Sequence, residues 1–333
     1  MTDTRFAAIA STGCYLPEIE VTNAELKRRV PPAAVEAIDK FEERTGILTR
    51  FHAPEDWTTS DLAARAARVA LERAGVEPGE LDLVILGTDT PDYVTPATSV
   101  VLQHKLGARA AGTFDVGCAC ASFPTSLAIG AGLIGASPWM RSVLVVGAYM
   151  MHKLADADDP VSFFYGDAAG AAVLVPSERP GLFASAFFAD GSYHAHWGIY
   201  SGGTFEPATC ESVRAGRARC RLIKAYPPEV NHEGWPRLVR RLARNGDFSV
   251  DEIDFAIFTQ VRQPSIELVM GDLGLPMERT HTVMHKWGYT GSACIPLALD
   301  DALGRGKPAP GDLVVLVGSG VGYNQAGVAL RWT

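Results

Sequence analysis

The segment GTFDVGCACASFPTSLAIG, Gly112 to Gly130, places two thiols one residue apart, at Cys118 and Cys120, where an apolar run ending at Asp115-Val116 gives way to Ala, Ser and Leu. A thiolate is a strong nucleophile, and it is favoured where unpaired backbone N–H groups and a helix dipole converge. Asp115-Val116 closes a strand, Gly117 to Ala119 turns, and Pro124 suits the first turn of a helix, where its missing N–H would have no partner. Cys120 is therefore expected at a helix N-terminus, the place of a nucleophile, whereas Cys118 reads as packing. Metal chemistry finds no support in the spacing. No CxxC pair occurs, and His194 and His196 read as loop residues.

The elements that must hold this turn alternate between apolar runs of strand length and longer Ala-rich or amphipathic stretches. Strands are expected at Phe6 to Ser11, Leu81 to Gly87, Thr113 to Gly117, Ser142 to Ala148, Gly170 to Val175, Leu182 to Phe188, Ile253 to Thr259, Thr280 to Met284, Asp312 to Gly318 and Ala326 to Arg331. Such alternation means an α/β fold. The two halves also repeat each other. GVEPGELDLVILGTDTP parallels GDFSVDEIDFAIFTQVRQP, and RSVLVVGAYMM followed by GDAAGAAVLVP parallels GDLVVLVGSGVGYNQAGVALRW. TFDVGCACASFPTSLAIGAGLI likewise shares its layout with TVMHKWGYTGSACIPLALDDAL, which gives Cys294 the position related to the Cys120 helix. The chain reads as a duplicated unit, residues 1–176 and 177–333, divided near Pro176 to Pro180.

The chain has 333 residues, 47% of them apolar and 20% charged, enough for a large core. A net charge of −8 argues against a nucleic-acid partner, and the short Arg-rich pieces read as solvated surface. The N-terminus has no long apolar stretch, and Leu127 to Ala136 is too short and glycine-rich to span a bilayer, so no membrane partner is expected. Six cysteines without staple spacing point to free thiols in a reducing compartment, and to a cytoplasmic location.

FDVGCACASF resembles the FDVxxACAGF nucleophile motif of the β-ketoacyl-acyl-carrier-protein synthase III (KAS III) family within the thiolase superfamily. The likeness continues through STGCYLPEIEVTNAEL, ERTGI, TPATSVVLQHKLG, YGDAAGAAVL and GSGVGYNQAGVALRW, in the same order. It implies the duplicated, thiolase-like α/β/α/β/α five-layer fold, a homodimer, no cofactor, and Cys120 as the thiol that takes an acyl group from a coenzyme A or acyl-carrier-protein thioester. Gly320 and Gly322 would lie in the glycine loop that stabilises the oxyanion, and Arg44 of ERTGI near a donor phosphate.

The remaining family motifs depart. Where KAS III enzymes carry PHQxN this chain has TQVRQ, read with Gln260 at the histidine position and Gln263 at the later asparagine. HGNTSAAS reads WGYTGSAC, with Tyr289 for the asparagine and Trp287 for the histidine. Neither an amide nor a phenol exchanges protons as an imidazole does. His285, close to Tyr289 in sequence, is an alternative base. The coenzyme A partners of the family fall on Lys40 and near Asp159, which favours a thioester borne by a carrier protein. The segment Asp190 to Arg244 belongs to neither repeat and is expected to shape the acyl pocket.

The expected function is acyl transfer from a thioester through Cys120 to a small-molecule acceptor, with Gln260 and Tyr289 orienting the carbonyl, in fatty acid, polyketide or other specialised metabolism. A non-catalytic partner subunit of a KAS III-like heteromer is the alternative, and an ordinary decarboxylative 3-oxoacyl-ACP synthase III the third reading.

Overall fold

The computed structural model describes residues 5–30, 32–156 and 159–333. In chain order the strands are β1 (Phe6–Tyr15), β2 (Ile19–Thr22), β3 (Thr49–His52), β4 (Leu83–Gly87), β5 (Gly112–Val116), β6 (Val143–Tyr149), β7 (Ala168–Ser177), β8 (Leu182–Ala189), β9 (Trp197–Gly198), β10 (Arg221–Leu222), β11 (Phe255–Phe258), β12 (Leu313–Gly320) and β13 (Asn324–Arg331). Nine of them form one sheet in the order β11-β12-β13-β8-β1-β7-β6-β4-β5. Every residue of β4 and β6 is buried, as befits parallel neighbours covered on both faces.

The sheet has two parts that touch through one residue pair, Ala7 with Leu182. In the first part β1, β7 and β6 pair antiparallel, and β6, β4 and β5 parallel. In the second β8, β13 and β12 pair antiparallel, and β12 and β11 parallel. The second part thus repeats the first with one strand fewer. The strand expected at Thr280 to Met284 shrinks to a single parallel bridge between Ala256 and Thr280, because the chain turns at once into the short helix Met284–Trp287.

Helices fill the layers. Thr59–Ala74 packs on the outer face of β1, β7 and β6, and its buried alanines allow a close approach. A side chain on Gly13 would collide with the backbone at Ala70, whose N lies 2.5 Å from where its Cβ would be. Ser122–Ala136 lies between the two parts of the sheet, against β1, β4 and β6 on one side and β8, β12 and β13 on the other. Cys294–Leu303 shares that middle layer, and Gly234–Gly246 covers β8, β12 and β13 from outside. The result is the five-layer α/β/α/β/α arrangement. With its lead-in turn, the central helix is long and apolar enough to cross a bilayer, with mean hydropathy 1.4 over Ala119–Ala136. Its apolar length instead reflects burial between two sheet faces.

Candidate active site

Parallel strands of an α/β sheet open their ligand crevice at their carboxyl ends. Asp89 follows β4, Cys120 follows β5, Tyr149 ends β6, Thr259 follows β11 and Val321 follows β12. All five line two adjoining cavities. The inner one, about 210 Å³, is bounded by Asp89, Cys120, Tyr149, Tyr165 and Cys220. The outer one, about 140 Å³, reaches Thr259, Arg262, His232, Tyr226 and Gly320. Trp197, Tyr289 and Val321 belong to both and form the neck between them. The segment after Asp190 supplies Trp197, Ile199 and Cys220 to the inner wall.

Cys120 occupies the turn Ala119–Ala121 that leads straight into the helix Ser122–Ala136. Ala119 holds φ at +47°, a left-handed conformation that costs an alanine roughly 1 kcal/mol. The related turn Gly291–Ala293 has Gly291 at φ +46°. That match pairs Cys120 with Ser292 and Ser122 with Cys294, so Cys294 is not the counterpart of Cys120. Gly320 lies across the turn. A Cβ there would strike the Cys118 carbonyl and come within 2.9 Å of Cys120 N, so only glycine permits the contact.

The thiol of Cys120 is buried and hydrogen-bonded to the Tyr289 hydroxyl. Burial, the Asp89 carboxyl and Cys294 push it well above the usual thiol range, while Tyr289 acts in the opposite sense. The thiolate that a helix terminus favours is therefore opposed by its surroundings. Tyr289 is also raised, chiefly by burial. Its ring is fixed edge-on to Tyr149 and Phe164, with centroids 5.9 and 5.7 Å away. Its backbone is fixed too, since its N–H donates to the Phe164 carbonyl at 2.8 Å.

Gln260 does not face the cavity. Its amide N–H groups go to the carbonyls of Phe258, at 2.8 Å, and His281, at 3.3 Å, and its amide oxygen accepts from Val283 N at 2.8 Å. Phe258 ends β11, and with the proline of PHQxN set there, the motif's histidine falls on Thr259 and its own glutamine on Gln260. The cavity agrees with this register: Thr259 lines it and its hydroxyl accepts from Ser319 N at 2.8 Å. Arg262 then takes the asparagine position. Gln263 opens the helix Gln263–Leu273 and bonds Glu267 at the surface.

His285 is exposed and lines neither cavity, so it is not brought to Cys120. His281, four residues earlier, pairs with Asp301 at 2.6 Å. The imidazole that does line the outer cavity is His232, bonded to Ser265 at 3.0 Å. Arg44 is exposed beside Arg262, whose guanidinium pKa is lowered by burial and by Arg44. Gly322 adopts φ +119° and its N–H donates to the Tyr226 hydroxyl at 3.1 Å.

Sequence reasoning missed Asp89, Thr259, Arg262 and His232. For the first two a signal existed, because each stands just past the end of a parallel strand, where an α/β sheet gathers its ligand-facing residues.

Residues 114–191 match the 3-oxoacyl-[acyl-carrier-protein] synthase III family, and residues 242–332 its C-terminal domain. A β-ketoacyl-[acyl-carrier-protein] synthase III from Syntrophomonas wolfei is 35% identical over 329 residues, 97% of each chain. The priming β-ketosynthase of the R1128 polyketide pathway superposes with TM-score 0.89 at 30% identity, over all of this chain and 98% of that one. The 3-oxoacyl-(acyl carrier protein) synthase III of Pseudomonas aeruginosa PAO1 gives 0.87 at 30% identity, over 98% of both. With a nucleophile turn, a glycine contact and a five-layer fold in agreement, this chain belongs to the KAS III family of thioester-dependent acyltransferases in the thiolase superfamily.

Proposed function

We propose that this protein loads an acyl group on Cys120 and passes it to a small nucleophile other than a decarboxylated malonyl unit. The observation that carries the reading is the pair formed by Cys120 and Tyr289 at the neck of a two-part cavity, with no imidazole hydrogen-bonded to either among the described residues. The Cys120 sulfur attacks the thioester carbonyl, its proton passes to the Tyr289 oxygen as the phenol gives its own to the departing thiolate, and the carrier leaves as a free thiol. The phenol ends as it began. The oxyanion is met by the N–H groups of the turn that Gly320 holds in place. In the second half, Tyr289 receives the proton of the acceptor by the reverse route.

Decarboxylation of a malonyl thioester needs donors aimed at an enolate oxygen. In the register read above Thr259 stands at the histidine position, where a hydroxyl can donate but does not exchange protons as an imidazole does. Conventional condensation is correspondingly disfavoured. Arg44 and Arg262 at the mouth suit the phosphates of a coenzyme A or carrier-protein donor. The edge strand β5, with Tyr93, Val94 and Val100 exposed nearby, supports a homodimer. Free thiols throughout suit the cytoplasm.

Intact-protein mass spectrometry after incubation with acyl thioesters tests the reading. A stable adduct on Cys120, absent in Cys120→Ala and discharged by an added acceptor, is the expected result. No adduct alone, but activity on adding a paralogue with the family His and Asn, would establish a silent partner subunit instead.

A further inference from the structure

A pocket for a plain hydrocarbon chain should be apolar, yet the inner cavity holds a carboxyl group. Asp89 lies on its wall, and its hydrogen bonds are weak or local: Ser292 Oγ at 3.3 Å and its own backbone N–H. No lysine, arginine or histidine pairs with it among the described residues, and no tyrosine hydroxyl is hydrogen-bonded to it. Burial pushes the carboxyl up to about 6, so at neutral pH it is mostly an anion without a counter-charge. Asp89 is half-buried, and a charge in such a place without a counter-charge is costly and is kept where a ligand completes it.

Four aromatic residues of the wall suit a cation. Tyr149, Tyr165, Trp197 and Tyr289 line the same space, with the Tyr149 ring 6.2 Å from Tyr165 and 5.9 Å from Tyr289. Aromatic faces attract an ammonium group, most strongly when water is excluded. At about 210 Å³ the cavity is below the roughly 300–1,000 Å³ of pockets for larger ligands, and so fits a short chain.

We propose that the acyl group carried on Cys120 is short and bears a protonated amine, held by Asp89 within this aromatic-walled cavity. The inference rests on the acyl-transfer reading above. It also gives the acyl donor a second effect. Asp89 is one of the groups that pushes the Cys120 thiol pKa up, so an ammonium placed against it weakens that effect as the thioester arrives. The loading step is an exchange in which a carbon–sulfur bond forms at Cys120, the bond to the carrier sulfur breaks, and the thiol proton leaves with the carrier.

The test uses N-acetylcysteamine thioesters of β-alanine, 3-hydroxypropionic acid and butyric acid, nearly isosteric acyl groups that end in ammonium, hydroxyl and methyl. Loading on Cys120 of the whole protein is followed by mass spectrometry. β-Alanyl should load roughly tenfold faster than butyryl, the effect of one charged hydrogen bond of ordinary strength, and Asp89→Asn should erase that ratio. Butyryl loading as fast as β-alanyl overturns the proposal, as does 3-hydroxypropionyl matching β-alanyl, which would mean selection of a neutral donor. If the variant fails to fold, the wild-type comparison still decides. Failure of every thioester to load would overturn the acyl-transfer reading itself, an outcome distinct from loading without preference for the amine.

Discussion

Cys120 and Tyr289 are hydrogen-bonded to one another from opposite repeats of the fold, 169 residues apart in the chain. The thiol follows β5 and the phenol stands in the segment that would have continued the missing strand, so the pair bridges the two parts of the sheet. Tyr289→Phe keeps the ring contacts to Tyr149 and Phe164 and removes only the hydroxyl. Acylation of Cys120 should fall by about a hundredfold or more, the usual contribution of a proton-transferring group. Because the hydroxyl holds the thiol pKa down, the variant's rate of iodoacetamide alkylation at Cys120 should also shift to higher pH. Single-turnover acylation and an alkylation pH profile check both, and an unchanged profile would remove Tyr289 from the mechanism.

Cys120 was legible from residue types because a strand, a small-residue turn and an early proline are local signals. Nine of the ten expected strands formed for the same reason. Thr259 and Gln260 were not separable in this way. Both follow β11, both are polar and both are buried, and only the backbone decides which side chain turns to the cavity and which ties Phe258 to Val283. Asp89 is a harder case. Its role depends on what it lacks, a counter-charge, and that is a property of five strands ending together.

The register gives a restoration experiment. Thr259→His places an imidazole on the cavity wall at the cost of the bond to Ser319 N, about 1 kcal/mol. Gln260→His instead breaks three hydrogen bonds to buried backbone groups. Malonyl-thioester decarboxylation, followed as carbon dioxide release, should rise in Thr259→His and not in Gln260→His, whose melting temperature should drop. A gain in the Gln260 variant alone would restore the other register.

Arg262 lies on the wall of the outer cavity beside Arg44, and Cys120 lines the inner one. A contact made only to the donor's phosphates affects binding and leaves the chemistry alone. Arg262→Ala should raise KM for a coenzyme A thioester roughly tenfold, about one charged hydrogen bond, and leave an N-acetylcysteamine thioester unaffected. Equal losses with both donors would mean that the arginine shapes the cavity.

Asp89 also leaves a signature in stability. Burial raises its carboxyl from the usual 3.8 to about 6, so the native state holds this proton more tightly than the unfolded chain does. The stabilising contribution is complete below about pH 4 and is lost as pH rises through 6. Asparagine mimics the protonated form at every pH, so Asp89→Asn should melt several degrees above the wild type at pH 8. That gap should close between pH 6 and 4. At about 1.4 kcal/mol per pKa unit, the upper bound at high pH is roughly 3 kcal/mol. Removing the charge also removes one of the groups that raises the Cys120 thiol, so alkylation of Cys120 at pH 7 should be faster in the variant. Thermal unfolding across this pH range, with alkylation rates on the same samples, checks both. A variant less stable than wild type at pH 8, or a gap that does not narrow in acid, would mean that the carboxylate is paired in solution and that the cavity presents no unsatisfied charge.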